Sequence, residues 1–228
     1  MKKSKVILLL KTFTKNEISK FDDFLKSPYF NKNTTLVRFY SELKKLYPDF
    51  PDSKVLKENV YYKVFPGKHY SEQVIKNLSS EMLKLIKIFF ELELIGEDRY
   101  ERKINLLKQL VRRKADQVYL SELKGFENEL NNRSDISERK FHYLFLLEEL
   151  KIAYHLERNE QPKVFDKVMK TGEHLILYFH LHFIKTISNL NINKQTFSIK
   201  YDINLPEEYF DNTYYDKIIE YMKVNNIS

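Results

Sequence analysis

Three groups of residues carry side chains at spacings that could do chemistry. His174, Tyr178 and His182 stand at i, i+4 and i+8, so any helix through them puts all three on one face, with Glu173 and His180 on another. Two such histidines and a carboxylate from a neighbouring element would make a metal site. Their segment is also the most apolar in the chain, where packed histidines are satisfied by a nearby carbonyl or carboxylate; the expectation is therefore no metal and no cofactor. Glu148, Lys151 and His155 share one helical face and would form an acid–base trio, but charges three and four apart are routine helix support, and that is the role expected of them.

The third group is Lys68, His69, Gln73, Lys76, Asn77 and Ser80. A helix over 54–64, a turn at Pro66-Gly67-Lys68 and a helix from Ser71 would form a helix-turn-helix. Gln73, Lys76, Asn77 and Ser80 would then reach base edges while Lys68 and His69 touched phosphate. The residue types suit that task. The turn from Phe65 to Tyr70 is longer than the usual three or so residues, and Glu72, Glu81 and Glu91 would face the phosphates.

Other chemistry is excluded by composition. The chain has no cysteine, so thiolate metal sites, disulfides and cysteine nucleophiles are all absent, as suits a reducing compartment. It has 4 glycines in 228 residues, all isolated, and neither GxGxxG nor GxxxxGK[ST] occurs. A GxSxG elbow, an HExxH pair and paired Glu-x-x-His motifs are missing too. No enzyme is expected.

Charge is placed unevenly. Residues 1–93 hold 18 Lys and Arg against 11 Asp and Glu, whereas 94–228 hold 21 of each, so the whole net +7 lies in the amino-terminal section. Such asymmetry marks either an anionic partner or a solvated lysine-rich face.

The elements that must position these groups read as helices. Thr14 and Glu17 form a capping box, with Phe13 and Ile18 as its staple. Ile18, Phe21 and Leu25 follow at helical spacing up to Pro28, and Leu36, Phe39, Tyr40 and Leu43 resume it after Asn31 and Asn33, which makes SPYFN a corner between two helices. Ser71 caps a long helix whose apolar seam is Ile75, Leu78, Met82, Leu85, Phe89 and Leu92, stopping near Gly96. Tyr100 to Val111 and Tyr119 to Leu130 give two more stripes. Asp135 and Glu138 suggest a second capping box opening a helix to about Arg158, and Pro162 opens the next. Residues 175–184 are apolar nearly all round, which predicts packing on several sides. Residues 197–203 alternate like a strand without a partner and are expected to be an extended loop. A last helix over 213–224 carries Tyr215, Ile218, Ile219 and Met222 with nothing after it to cover them.

Neither apolar run spans a bilayer. Val6 to Leu10 is closed by Lys11, and HLILYFHLHFI (174–184) is far short of the roughly 20 residues required. The first is read as the opening helix, and the protein as soluble and cytoplasmic.

The segments LLKTFTKNEISKFDDFLKSPYFNKN (9–33) and VYYKVFPGKHYSEQVIKNLSSEMLKLIKIFF (60–90), with the long helices after Gly96, resemble an uncharacterised group of all-helical bacterial proteins carrying similar FLxSPYFN and FPG segments. Members are commonly longer and continue into further helical pairs. The resemblance implies an all-helical architecture and an amino-terminal portion of a longer helical array; it implies no activity.

The sequence thus points to an all-α fold of antiparallel helical hairpins, as a bundle or a short tetratricopeptide-like array, with a basic short-helix domain over 1–95 and a long-helix hairpin array over 96–228. The function expected is a non-enzymatic scaffold binding a protein or peptide partner. The alternative is nucleic-acid binding through 54–93.

Overall fold

The structure, a computed structural model, describes residues 4–197, 205–225 and 227, and every regular element among them is helical. They form two compact units, Met1–Asp98 and Arg99–Ser228.

Unit 1 contains α1 (Lys5–Leu10), α2 (Lys15–Lys26), α3 (Thr34–Lys44), α4 (Lys57–Val64) and α5 (Glu72–Glu97). The capping box forms: the Glu17 amide donates to Thr14 Oγ1 at 3.2 Å, and the Thr14 amide donates to Glu17 Oε2 at 2.6 Å. The α2 helix ends at Ser27, extended as a residue before proline must be. Asn31 then donates its side-chain amide to Leu25 O at 2.9 Å, and Asn33 Oδ1 caps α3 by accepting from the amides of Thr35 and Leu36. Phe30 stacks on Phe24 with ring centroids 4.5 Å apart. SPYFN is a helix corner.

The buried face of α5 carries Ile75, Leu78, Met82, Ile86 and Phe89. Leu85 is only partly buried and Leu92 is exposed, a correction to the expected seam. At 3.6 residues per turn the step from Met82 to Ile86 holds the face, whereas the step to Leu85 drifts to its edge. Phe21 lies 5.6 Å from Phe13, 5.0 Å from Tyr40 and 5.2 Å from Phe89, tying α2, α3 and α5 into one aromatic core. The buried Tyr40 hydroxyl donates to Ile18 O at 2.8 Å.

Unit 2 contains α6 (Arg99–Arg112), α7 (Asp116–Asn131), α8 (Glu138–Leu156), a 3-10 turn (Gln161–Lys163), α9 (Phe165–Phe197), α10 (Leu205–Asp211) and α11 (Tyr215–Val224). Its helices run as antiparallel hairpins. Arg99 pairs with Glu129 and Lys103 with Glu122 across α6 and α7; Tyr119 stacks on Tyr154 and Phe126 meets Tyr143 across α7 and α8. Glu138, at the start of α8, binds His182 and Lys185 well along α9.

Several expectations fail here for identifiable reasons. Ser137, not Asp135, caps α8, its hydroxyl accepting from the Lys140 amide; Asp135 instead forms a two-pronged pair with Arg133. Pro162 opens the 3-10 turn, and the next α-helix starts at Phe165. Residues 205–211 form a helix that the sequence pattern does not signal, held by Tyr209 against Phe179 and Phe183. Of the alternating stretch 197–203, only Phe197 lies among the described residues, at the end of α9. The α11 stripe is not left bare: Ile218 and Met222 pack inward with Leu177 and Leu181 of α9.

The largest departure concerns 175–184. Only Leu177 in that stretch is buried, while Leu175, Ile176, Phe179 and Ile184 remain exposed. The α9 helix packs on α8 along one side and meets α10 and α11 along another, and among the described residues the third side stays largely exposed.

Candidate functional site

Four of the six residues singled out for nucleic-acid contact come together. Gln73, Lys76, Asn77 and Ser80 lie on the exposed face of α5, opposite the seam that holds unit 1 together. Lys84 and Lys87 continue the same face. Lys68 and His69 are exposed in the connection between α4 and α5, where the Lys68 ammonium sits 5.9 Å over the Phe65 ring. Part of this polar surface is already engaged. Glu72 binds Lys57 at 2.8 Å and Lys76 at 3.4 Å, which holds its carboxyl below the ordinary range, and Gln73 donates to Asn77 at 2.8 Å. Glu72 thus ties α4 to α5 and half-neutralises the start of the would-be recognition helix.

Beside the SPYFN corner, a shallow groove of about 380 Å³ runs between Phe30, Asn33 and Leu36 on one side and Glu81, Lys84 and Ile88 of α5 on the other. Asn33 donates its side-chain amide to Glu81 at 2.9 Å, bridging its two walls.

In unit 2, Glu148, Lys151 and His155, for which the sequence predicts routine helix support, divide between two sets of partners. Lys151 Nζ bonds Glu148 Oε1 at 2.7 Å and Glu127 Oε1 at 2.6 Å, deep between α7 and α8. His155 turns away and pairs with Glu160 at 2.7 Å. Lys151 thereby ties Glu148 of its own helix to Glu127 of α7.

The α9 histidines also go separate ways. His182 bonds Glu138 at 3.0 Å. His174 lies against Phe141 with its Nδ1 buried and unpartnered, and burial pushes its pKa down to about 4. Burial likewise lowers His180. Among the described residues no three His, Asp or Glu are grouped to hold a metal ion. His174 borders a polar cavity of about 380 Å³ between the α7–α8 turn and the Glu173–Tyr221 edge of α9 and α11.

The feature that sequence reasoning missed is the uncovered side of α9. Phe165, Val168, Met169, Leu175, Ile176 and Phe179 are 44% to 71% exposed. They recur at i, i+3, i+4, i+10, i+11 and i+14, with Gly172 at i+7, so all seven positions line one stripe about 21 Å long. No charged residue interrupts it. The signal was present in the spacing, but an apolar helix gives no warning of which sides its neighbours will leave open. Among the described residues no helix is long and apolar enough to cross a membrane.

Comparison with protein-family models, curated proteins and solved structures finds no significant match to this chain.

Proposed function

We propose that this chain is a helical interaction scaffold, without catalytic activity of its own, that binds a protein or peptide partner through the uncovered apolar side of α9. The observation supporting it is the stripe from Phe165 to Phe179, unbroken by charge and 44% to 71% exposed, which among the described residues of its own unit is bordered at its carboxyl-terminal end by Tyr209 on Phe179 and by α11 beside Ile176. Contiguous exposed apolar surface costs free energy in water, and docking an amphipathic helix along it is the usual way such a stripe is covered. The aromatic ends, Phe165 and Phe179, supply the large rigid contacts that dominate binding energy.

A photo-reactive benzoylphenylalanine placed at Leu175 tests this, with the same group at exposed Val118 on α7 as control. Irradiation in cells should yield a polypeptide adduct from position 175 and none from position 118. Equal adducts from both positions, or none from either, would overturn the reading.

A second reading has its own support. The α5 face of Gln73, Lys76, Asn77 and Ser80 continues into Lys84 and Lys87, in the section that holds all of the net positive charge. That face would bind nucleic acid through phosphate contacts. Fluorescence anisotropy of the full chain with labelled random DNA and RNA should then show binding that falls linearly with log salt and weakens in Lys84→Glu/Lys87→Glu. Absence of binding at low salt would leave the lysines as a solvated face.

A further inference from the structure

We propose that the occupant of the α9 stripe is the α9 stripe of a second copy of this chain, packed antiparallel across a two-fold axis at Gly172; this rests on the docking role proposed above. The argument begins with symmetry. Measured from Gly172, the apolar positions are −7, −4, −3, +3, +4 and +7: Phe165, Val168, Met169, Leu175, Ile176 and Phe179. Reversal about Gly172 maps the set onto itself, as an isologous interface requires. Side-chain size follows the same profile, with phenylalanine at both ends, branched or flexible aliphatics between, and nothing at the centre. An antiparallel pair sets Phe165 against Phe179 of the other copy, Val168 against Ile176, Met169 against Leu175, and glycine against glycine.

Gly172 is the second observation. Glycine inside a helix is unfavourable, and a Cβ built at Gly172, as at the helical Gly96 and Gly125, meets no atom within 4 Å, so no described residue of its own chain requires the missing side chain. A helix crossing at that point would require it, because small residues let two backbones approach closely.

Orientation follows from α10. It rests on Phe179 and Phe183 through Tyr209, which closes the carboxyl-terminal end of the stripe. Parallel pairing would bring the two copies of α10 to the same end, where they collide. Antiparallel pairing puts each beside the Gln161–Lys163 turn that precedes the other copy's Phe165, and Tyr209 then joins the Phe165–Phe179 contact. The six residues expose on the order of 600 Å² per copy, so pairing removes at most roughly 1,200 Å² in total, which places the interface at the small end of specific ones. A micromolar, reversible dimer is the expected result.

Because the chain has no cysteine, single cysteine substitutions test the geometry directly. Under mild oxidation of the full-length chain, Gly172→Cys should cross-link to itself rapidly, since residues on the two-fold axis fall within disulfide reach. Val168→Cys alone should not, whereas a mixture of Val168→Cys and Ile176→Cys should form the mixed dimer. Sedimentation of the unmodified chain should show a concentration-dependent dimer, and Gly172→Leu should weaken it at least tenfold with unchanged helicity. Self-linking of Val168→Cys would overturn the antiparallel arrangement. A strict monomer, or a dimer indifferent to Gly172→Leu, would overturn the proposal. If the chain is a strict monomer, an adduct from position 175 to a different polypeptide would leave the docking role standing, and its absence would remove both.

Discussion

Removing the Lys151 ammonium should destabilise unit 2 far more than a surface lysine would. Lys151 is 7% exposed and Glu148 2% exposed, and their charged atoms meet at 2.7 Å inside the α7–α8 interface. Glu148 Oε2 has no hydrogen-bond partner among the described residues, so the ammonium is the charge that makes burial of that carboxylate tolerable. In Lys151→Ala the carboxylate stays behind without a counter-charge, and breaking a buried pair from one side costs about 3–5 kcal/mol. Glu127, the second partner at 2.6 Å, is less buried and regains water, so it adds little. Removing both charges should cost much less: Glu148→Gln with Lys151→Met keeps the volume and leaves no buried ion, and pairs replaced in this way are often neutral or better. The assay is thermal and urea unfolding of wild type, Lys151→Ala, the singles Glu148→Gln and Lys151→Met, and the double variant. For a unit of this size each kcal/mol moves the midpoint by roughly 3–5 °C, so Lys151→Ala should lower it by on the order of 10–20 °C while the double variant recovers most of the loss. A Lys151→Ala loss below about 1 kcal/mol, or a double variant as unstable as the singles added together, would refute the reasoning.

Three further outcomes are expected. Thr14→Ala removes one half of the α2 capping box and should lower the stability of unit 1 by about 1 kcal/mol in urea unfolding; an unchanged midpoint would mean that the cap is replaced by water at no cost. His174 titrates near 4 when folded and near 6.5 when unfolded, so in that window the unfolded chain holds the extra proton and stability falls as pH drops. The gap in melting temperature between His174→Leu and wild type should therefore move in favour of the variant from pH 7 to pH 5, and a constant gap would contradict the burial of its ring. Phe89→Ala opens a hole against Phe13, Phe21 and Phe24 and should cost roughly 3–5 kcal/mol, read as loss of the unit 1 transition in differential scanning calorimetry; a shift under about 1 kcal/mol would show that the aromatic core collapses to refill it.

The candidate sites were unequally legible. Gln73, Lys76, Asn77 and Ser80 could be placed together because they sit on one helix, and spacing alone puts them on one face. That Glu72 would take both Lys57 and Lys76 required knowing how α4 lies against α5. Glu148 and Lys151 were visible as a pair, but their burial depended on Glu127 arriving from α7, a residue 24 positions away. His155 was grouped with them by periodicity and then captured by Glu160 beyond the helix end.

The chain's own order determined its all-helical character. Capping residues, the proline after Ser27, the scarcity of glycine and apolar positions at three and four apart act within a few residues, and local interactions of that kind are written directly in sequence. The capping box at Thr14, the corner at SPYFN and the stop of α5 after Gly96 all follow from them. Tertiary packing decided which side of each apolar helix is covered. The segment 175–184 is apolar nearly all round, and composition alone called for neighbours on every side. The structure supplies α8 on one side and α10 with α11 on another, and among the described residues leaves the stripe of Phe165, Val168, Met169, Leu175, Ile176 and Phe179 largely exposed. Burial depends on which elements meet, and that choice is made by contacts between residues tens of positions apart.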